Sequence, residues 1–285
     1  MVTIKIMETP EEMAQVENLQ RMVWPDSETD VIPAHLLITA AHNGGLVLGA
    51  YQEEKLVGML FGFVGLYYTP DGPRPKHCSH EMGVHPDARD AGIGFALKRA
   101  QWQMVRQQGL DRITWTYDPL LSRNGYLNIG RLGAVCDTYL REVYGQMRDG
   151  LNVGLASDRF QVDWWVNTHR VKGCLASDSR PRLTLEDVEA ANVQNLYSVS
   201  LQSGLIRPEG HMASPERRML MAEIPADFMR LKAKDTQLAF AWRMFTREVF
   251  ESCFAQGYIV TDFVHDTSRE RPYSFYVVTH GEATL

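Results

Sequence analysis

The stretch HPDARDAGIGFALKRAQ, residues 85–101, restricts the fold of this chain more than any other. Pro86 closes the extended segment SHEMGVH, because the residue before a proline is driven out of the helical region. Gly92 and Gly94 allow a tight backbone turn, and the helix formers after them run to a C-terminal stop at Gly109. Strand, glycine turn and helix therefore succeed one another within a few residues. Such a turn aims several backbone amides at one point, at the positive end of a helix dipole, and so makes an anion site suited to phosphate.

Two familiar phosphate turns do not fit. The dinucleotide fingerprint needs a third glycine and a βαβ entry, whereas Gly92-Ile93-Gly94 runs on into Phe95-Ala96-Leu97 behind an antiparallel hairpin. A P-loop needs Gly-Lys-Ser/Thr, which is missing after the turn.

The chain has 285 residues and a net charge of −6, with 45% hydrophobic and 22% charged residues. Those proportions are ordinary for a globular protein, and the length suits one large domain or two ordinary ones. The acidic balance argues against a nucleic-acid partner, which would need a basic face. No stretch approaches the roughly 18 uninterrupted apolar residues of a membrane span, and MVTIKIMETPEE lacks a signal-peptide pattern, so the expectation is a cytoplasmic protein without a membrane partner. Cys78, Cys136, Cys174 and Cys253 have no CxxC spacing and read as reduced thiols.

IKIM reads as a strand. Thr9-Pro10-Glu11-Glu12 reads as a capping box with proline in the first helical turn. AHLLITAAH reads as a second helix, LVLGAYQ and LVGMLFGFVGLYY as an antiparallel hairpin, TPDGPRPK as a loop and HCSHEMGVH as the next strand. RITWTYDP, AVCDTYL and RFQVDWWV supply further strands around a short helix near Leu127 to Leu132. KGCLASDSRPR, residues 172–182, reads as a boundary between a domain at 1–172 and a C-terminal unit at 183–285, which contains LMAEIPADF, the helix DTQLAFAWRMFTREVFESCFAQG and a closing hairpin. The expected fold is α+β, a mixed, mostly antiparallel central sheet flanked by helices, with a second, smaller α/β unit.

Residues Val84 to Gly94 resemble the acyl-CoA-binding motif of the GNAT superfamily of N-acyltransferases, a strand ending in V-x-P followed by R/Q-x-x-G-x-G/A at the start of a helix. The resemblance implies that the turn holds the pyrophosphate of CoA through Arg89, Ala91, Gly92, Ile93 and Gly94, with Asn124 downstream. The wider stretches SHEMGVHP, GIGFALKRAQ, ITWTYDPLLSRNGYLNIGRLGA and SDRF are similar to one branch of predicted GNAT acetyltransferases with an extra C-terminal region. The likeness is close over roughly residues 30 to 170 and looser at EIPADF and GYIVTDF. It implies acetyl-CoA as co-substrate, no metal, and an N-acetyltransferase acting on a small-molecule amine. An acyl-CoA sensor or inactive homologue is the alternative, and a homodimer is an open assembly state. The C-terminal unit has the element order of a degenerate GNAT half, against which stands an unrelated small domain.

In the family the fourth strand bulges and its released amides bind the pantetheine arm and the acyl carbonyl, which points to Met82, Gly83 and Val84, with Gly83 suited to the bulge. Strict alternation places Cys78, His80, Met82 and Val84 on one face and His77, Ser79, Glu81 and Gly83 on the other, a phase that a bulge would alter. His80 is the first candidate base because imidazole titrates near neutrality; the competing reading is a hydrogen-bonded core histidine. Glu81 is the second candidate, against a salt-bridged surface role. A zinc reading of His77, Cys78, His80 and His85 fails for lack of ligand spacing. The family's usual tyrosine acid is missing: the corresponding positions are Arg131, or Ile129 and Asn128. Tyr126 is the nearest replacement, and its alternative role is packing.

Overall fold

A capping box starts the first helix. The Thr9 hydroxyl accepts from the Glu12 amide at 3.3 Å, while the Glu12 carboxylate accepts from the amides of Glu8 and Thr9 at 2.7 and 3.0 Å. In the computed structural model, which describes residues 2–25, 28–145, 153–176, 182–212 and 214–280, the chain forms two compact units. One holds the described residues up to Trp115 together with Trp165–Asn167, and the other holds the rest.

The first unit runs β1 (Val2–Ile6), α1 (Pro10–Val23), α2 (Ala34–His42), β2 (Leu46–Gln52), β3 (Lys55–Thr69), β4 (Gly72–Val84), α3 (Ile93–Gln107) and β5, which begins at Arg112 and ends at Tyr117. The strands lie side by side in chain order, antiparallel except for the parallel pair β4–β5. Both sheet faces are covered. Met7, Met13, Val16, Leu19, Met59 and Phe61 form the core beneath α1 and α2. Leu48, Ala50, Val57, Leu60, Ile93 and Leu97 form the core beneath α3. This is the mixed, largely antiparallel α+β fold expected from the element order.

The segment TPDGPRPK is not the expected loop. Thr69 pairs with Gly72, so the turn is confined to Pro70 and Asp71, and β4 already contains Pro73 and Pro75 opposite Tyr68 and Leu66. Proline is tolerated where a strand edge needs no donor. The pairing of β4 with β5 comprises His77–Ile113 and Cys78–Thr114, so both prolines lie beyond it.

The second unit contains α4 (Ser122–Gly125), which continues into a π-helical turn at Tyr126–Arg131, then β6 (Val135–Leu140), β7 (Arg159–Trp165), α5 (His169–Leu175), α6 (Leu185–Ala190), β8 (Gln194–Asn195), β9 (Ser198–Gln202), β10 (Leu205–Glu209), β11 (Met219–Glu223), α7 (Phe228–Lys234), α8 (Thr236–Ala255), β12 (Tyr258–Asp266) and β13 (Tyr273–His280). Its sheet has the order β7-β6-β12-β13-β11-β8, with β9 and β10 as a separate hairpin. The contact division falls after Trp115 rather than at the expected 172–182, and the second unit is the longer one, not the smaller. The reason is pairing: β6 joins β7 and also meets β12 at Cys136–Val260, which ties residues before position 172 to the C-terminal part. Helix α5 fills the start of the expected linker, and residues 177–181 lie outside those described.

Phe160, Phe250 and Tyr276 pack edge to face at the centre of this unit, with ring centroids 4.7 to 5.4 Å apart. Beside them Arg243 binds Asp118 through both guanidinium NH groups, with both side chains buried. Removing one partner leaves a buried charge, so Arg243→Ala should lower the unfolding free energy in urea by about 3–5 kcal/mol. Arg141→Ala, which breaks a solvent-screened pair with Glu251, should leave the same titration nearly unchanged.

Candidate active site

In the register of β3 on β4, Phe61 faces Glu81 and Gly62 faces Ser79, so His80 is an extra residue without a counterpart. The bulge therefore sits at His80 and not at Gly83. It shifts the side-chain phase by one. Met82 and Val84 pack on the α3 face, and Ser79, reached by Lys98 of α3, shares that face across the bulge. Glu81 and Gly83 stand opposite Phe61 and Met59, whose side chains belong to the α1 and α2 face. Strict alternation across position 80 is corrected accordingly. Gly83 has a different reason to be glycine: a Cβ there would lie 2.9 Å from the Trp24 ring and 3.2 Å from Val23.

Beyond Cys78, β4 has no pairing with β5 among the described residues. The His85 amide donates to the Val57 carbonyl at 2.8 Å, so alternation turns the amides of Gly83 and Glu81 toward β3 as well. The amides of Met82 and Val84 point the other way, along the edge that β5 leaves open. Gly83 thus drops out as an amide donor on that edge.

This edge leads into the turn. Pro86–Ala88 forms one 3₁₀ turn, with the His85 Nδ1 accepting from the Asp87 amide at 3.3 Å. Asp90 and Gly92 then adopt φ of +66° and +75°. Nothing lies within 4 Å of a Cβ at Gly92, so the turn is open on its outer side. Ile93 buries its side chain with Leu97, which leaves its amide and that of Gly94 in the first helical turn, where a helix supplies no carbonyl of its own. Ala91 is exposed, and so is Arg89, whose Nε donates to the Val84 carbonyl at 3.4 Å and braces the strand end against the turn. Amides, helix dipole and open space coincide, and the residues present fit a pyrophosphate.

The two candidate bases differ in setting. His80 is exposed at the bulge, with its ring 5.9 Å from those of both Phe61 and Phe63, and loss of hydration there lowers its pKa. Glu81 is turned inward. Its Oε2 is buried without a hydrogen-bond partner, and burial, aided by the negative charge of Asp30, pushes its pKa up to about 8. His77 is fully buried and lies at about 4, lowered first by burial and then by Lys98.

Asn124 and Tyr126 lie in the second unit. The Asn124 amide donates to the Leu121 carbonyl at 2.9 Å as α4 begins. The Tyr126 hydroxyl accepts from Arg182, and its ring lies 6.1 Å from that of His265.

Sequence reasoning passed over Lys98 and Gln101. Both are buried on α3, where Lys98 donates to Ser79 Oγ at 2.8 Å and to Gln101 Oε1 at 3.2 Å. The signal was present: the helical stripe through Ile93, Leu97 and Val105 takes in both polar residues.

The acetyltransferase (GNAT) family matches the chain over residues 10–124. That match takes in α1 to α3, the bulged strand and the glycine turn, and covers less than half of the chain. Among solved structures the chain is similar to an aminoglycoside 6'-acetyltransferase type Ii, with 18% identity over 59% of this chain and 99% of that one and a TM-score of 0.46. It is also similar to the ribosomal-protein-S18-alanine N-acetyltransferase from Escherichia coli, with 17% identity, 59% and 96% coverage and a TM-score of 0.44. A third similar structure is the acetyltransferase of GNAT family from Streptococcus pneumoniae, with 14% identity, 57% and 98% coverage and a TM-score of 0.43. No curated protein matches the chain. Among the described residues no helix is long and apolar enough to cross a membrane.

The Glu81 carboxyl titrates higher in the folded chain than its ordinary value of about 4.3, so the folded state holds the extra proton. The stability this contributes is complete below about pH 4.3 and is lost as pH rises toward 8. Melting temperatures at pH 5 and pH 8.5 should therefore fall further for the parent than for Glu81→Gln, which carries no charge at either pH.

Proposed function

We propose that the chain transfers an acetyl group from acetyl-CoA to the amine of a small molecule by direct attack. The observation that carries this reading is the continuity of the open β4 edge, starting at the bulge, with the glycine turn at the head of α3. An extended acyl-thioester arm and its pyrophosphate need those two features in series. Acetyl-CoA would be held by Arg89, Ala91, Gly92, Ile93 and Gly94 at the turn and by the amides of Met82 and Val84 along the strand, and it supplies the activated acyl group.

This chain's residues then have two tasks. Met82 and Val84 supply donors where negative charge develops on the acyl oxygen, a contribution that grows as water is excluded. Glu81 receives the proton that the acceptor ammonium must lose. A carboxyl raised to about 8 is a stronger base than His80, whose pKa is lowered, and its position on the α1 and α2 face separates the acceptor side from the α3 side. The leaving thiolate takes its proton from solvent. In this reading the second unit, with its order β11–α7–α8–β12–β13 and a register shift between Val260 and Asp262, is a degenerate half of the same fold.

Glu81→Gln should lower kcat/KM by roughly 10² to 10⁴ while leaving CoA affinity nearly intact. With an acceptor whose amine titrates below pH 7, thiol release by the parent should rise toward pH 8, and this limb should vanish in the variant. Parent-like rates and pH profile in Glu81→Gln would transfer the role to His80, to be tested by His80→Ala.

Gly94→Asp should abolish CoA binding in calorimetry, because it places a negative charge at the pyrophosphate position. Unchanged affinity in a folded variant would overturn the assignment of the turn.

A further inference from the structure

Behind the bulge, on the α3 face, lies a set of buried polar side chains that the acetyl-transfer chemistry above does not use. Lys98 reaches from α3 to three places. Its Nζ donates to Ser79 Oγ at 2.8 Å and to Gln101 Oε1 at 3.2 Å, and it stands 3.6 Å from the centroid of the Trp115 ring on β5. Ser79 immediately precedes the bulge residue, and Trp115 comes directly after Thr114, the last β5 residue paired with β4. One side chain therefore touches both strands at the point where they part.

The cluster is costly. Lys98 is 2% exposed, and no carboxylate hydrogen-bonds its amine in this cluster. His77 Nδ1, His77 Nε2 and Gln101 Nε2 are buried without a hydrogen-bond partner. Each such group loses hydration without full compensation, and apolar residues of the same volume would commonly be as stable or more so. A polar set that does not maximise stability, located at the parting of β4 and β5, calls for another explanation.

We infer that Lys98 is a positioning residue for acyl transfer, which through Ser79 and Trp115 holds the bulge at His80 and the separation of β4 from β5. The inference rests on the acetyl-transfer reading. Lys98 lies little more than one helical turn beyond Ile93 on the same helix, so α3 carries at its head the turn amides and in its body the clamp on the strand edge. Loss of the clamp lets Ser79 and His80 relax, which misdirects the Met82 amide and the Glu81 carboxyl while the turn itself stays in place.

Two variants separate this role from a merely structural one. Lys98→Met keeps an apolar stem of similar length and deletes the amine, and with it both the donor to Ser79 and the group over the Trp115 ring; Ser79→Ala deletes the acceptor alone. The expected result for Lys98→Met is a melting temperature unchanged or raised, CoA affinity nearly unchanged by calorimetry, and kcat lowered roughly ten- to a hundredfold in thiol release from acetyl-CoA. Ser79→Ala should move kcat in the same direction by a smaller factor. A folded Lys98→Met with the parent kcat, or a loss of rate that merely tracks a loss of folded protein, would overturn the inference. Should Lys98→Met not fold, Ser79→Ala decides, and parent kcat there would overturn it. A parent protein that neither binds CoA nor releases thiol with any of a panel of amines would overturn the acetyl-transfer reading and this inference with it. An active parent with unaffected variants removes the inference alone.

Discussion

One extra residue in β4 organises the candidate site. Inserting His80 opposite no partner on β3 reverses the side-chain phase of the rest of the strand, so that Glu81 and Gly83 meet the α1 and α2 face while Met82 and Val84 meet α3. A bulge alone is a local loss of pairing. It persists because both faces of the sheet are covered, with Met59 and Phe61 packed on one side and Leu60, Ile93 and Leu97 on the other. The same insertion lies where the parallel pairing to β5 stops, which leaves two outward amides on the strand edge.

Charge is distributed about this strand in opposite senses. On one face Glu81 is a carboxyl that burial drives toward its neutral form; on the other, Lys98 is an amine that burial drives toward its neutral form too. Neither is placed for stability, since each would be better solvated at the surface. The glycine turn solves a related problem without side-chain charge. In a chain with net charge −6, backbone amides and a helix dipole can receive an anion where a cluster of basic residues is not available.

The second unit is held together by a different balance. Phe160, Phe250 and Tyr276 fill its centre, and the Asp118–Arg243 pair is buried beside them. Asp158 is likewise bound by Arg247 at 2.8 Å and accepts from the Tyr139 hydroxyl at 2.9 Å, contacts that hold its carboxyl below the usual range despite burial. These charges are paired, in contrast to Glu81 and Lys98 of the first unit.

Where structure depends on near neighbours along the chain, it could be read from the sequence. The Thr9–Glu12 capping box, the helix from Ile93 to a stop beside Gly109, the strand LVLGAYQ and the glycine turn all arise from residues within a few positions of one another. The turn was therefore legible, and so was the class of fold it belongs to. Other features were decided by partners distant in sequence. Pro73 and Pro75 are strand residues because β5 does not pair there, and residues 116–145 and 153–164 belong with the C-terminal part because β6 meets β12. The position of the bulge depends on the register against Gly62, and the pKa of Glu81 on burial and on Asp30. Propensity and capping are short-range and survive in one dimension; register and desolvation are set by which surfaces come together, and only the tertiary structure determines them.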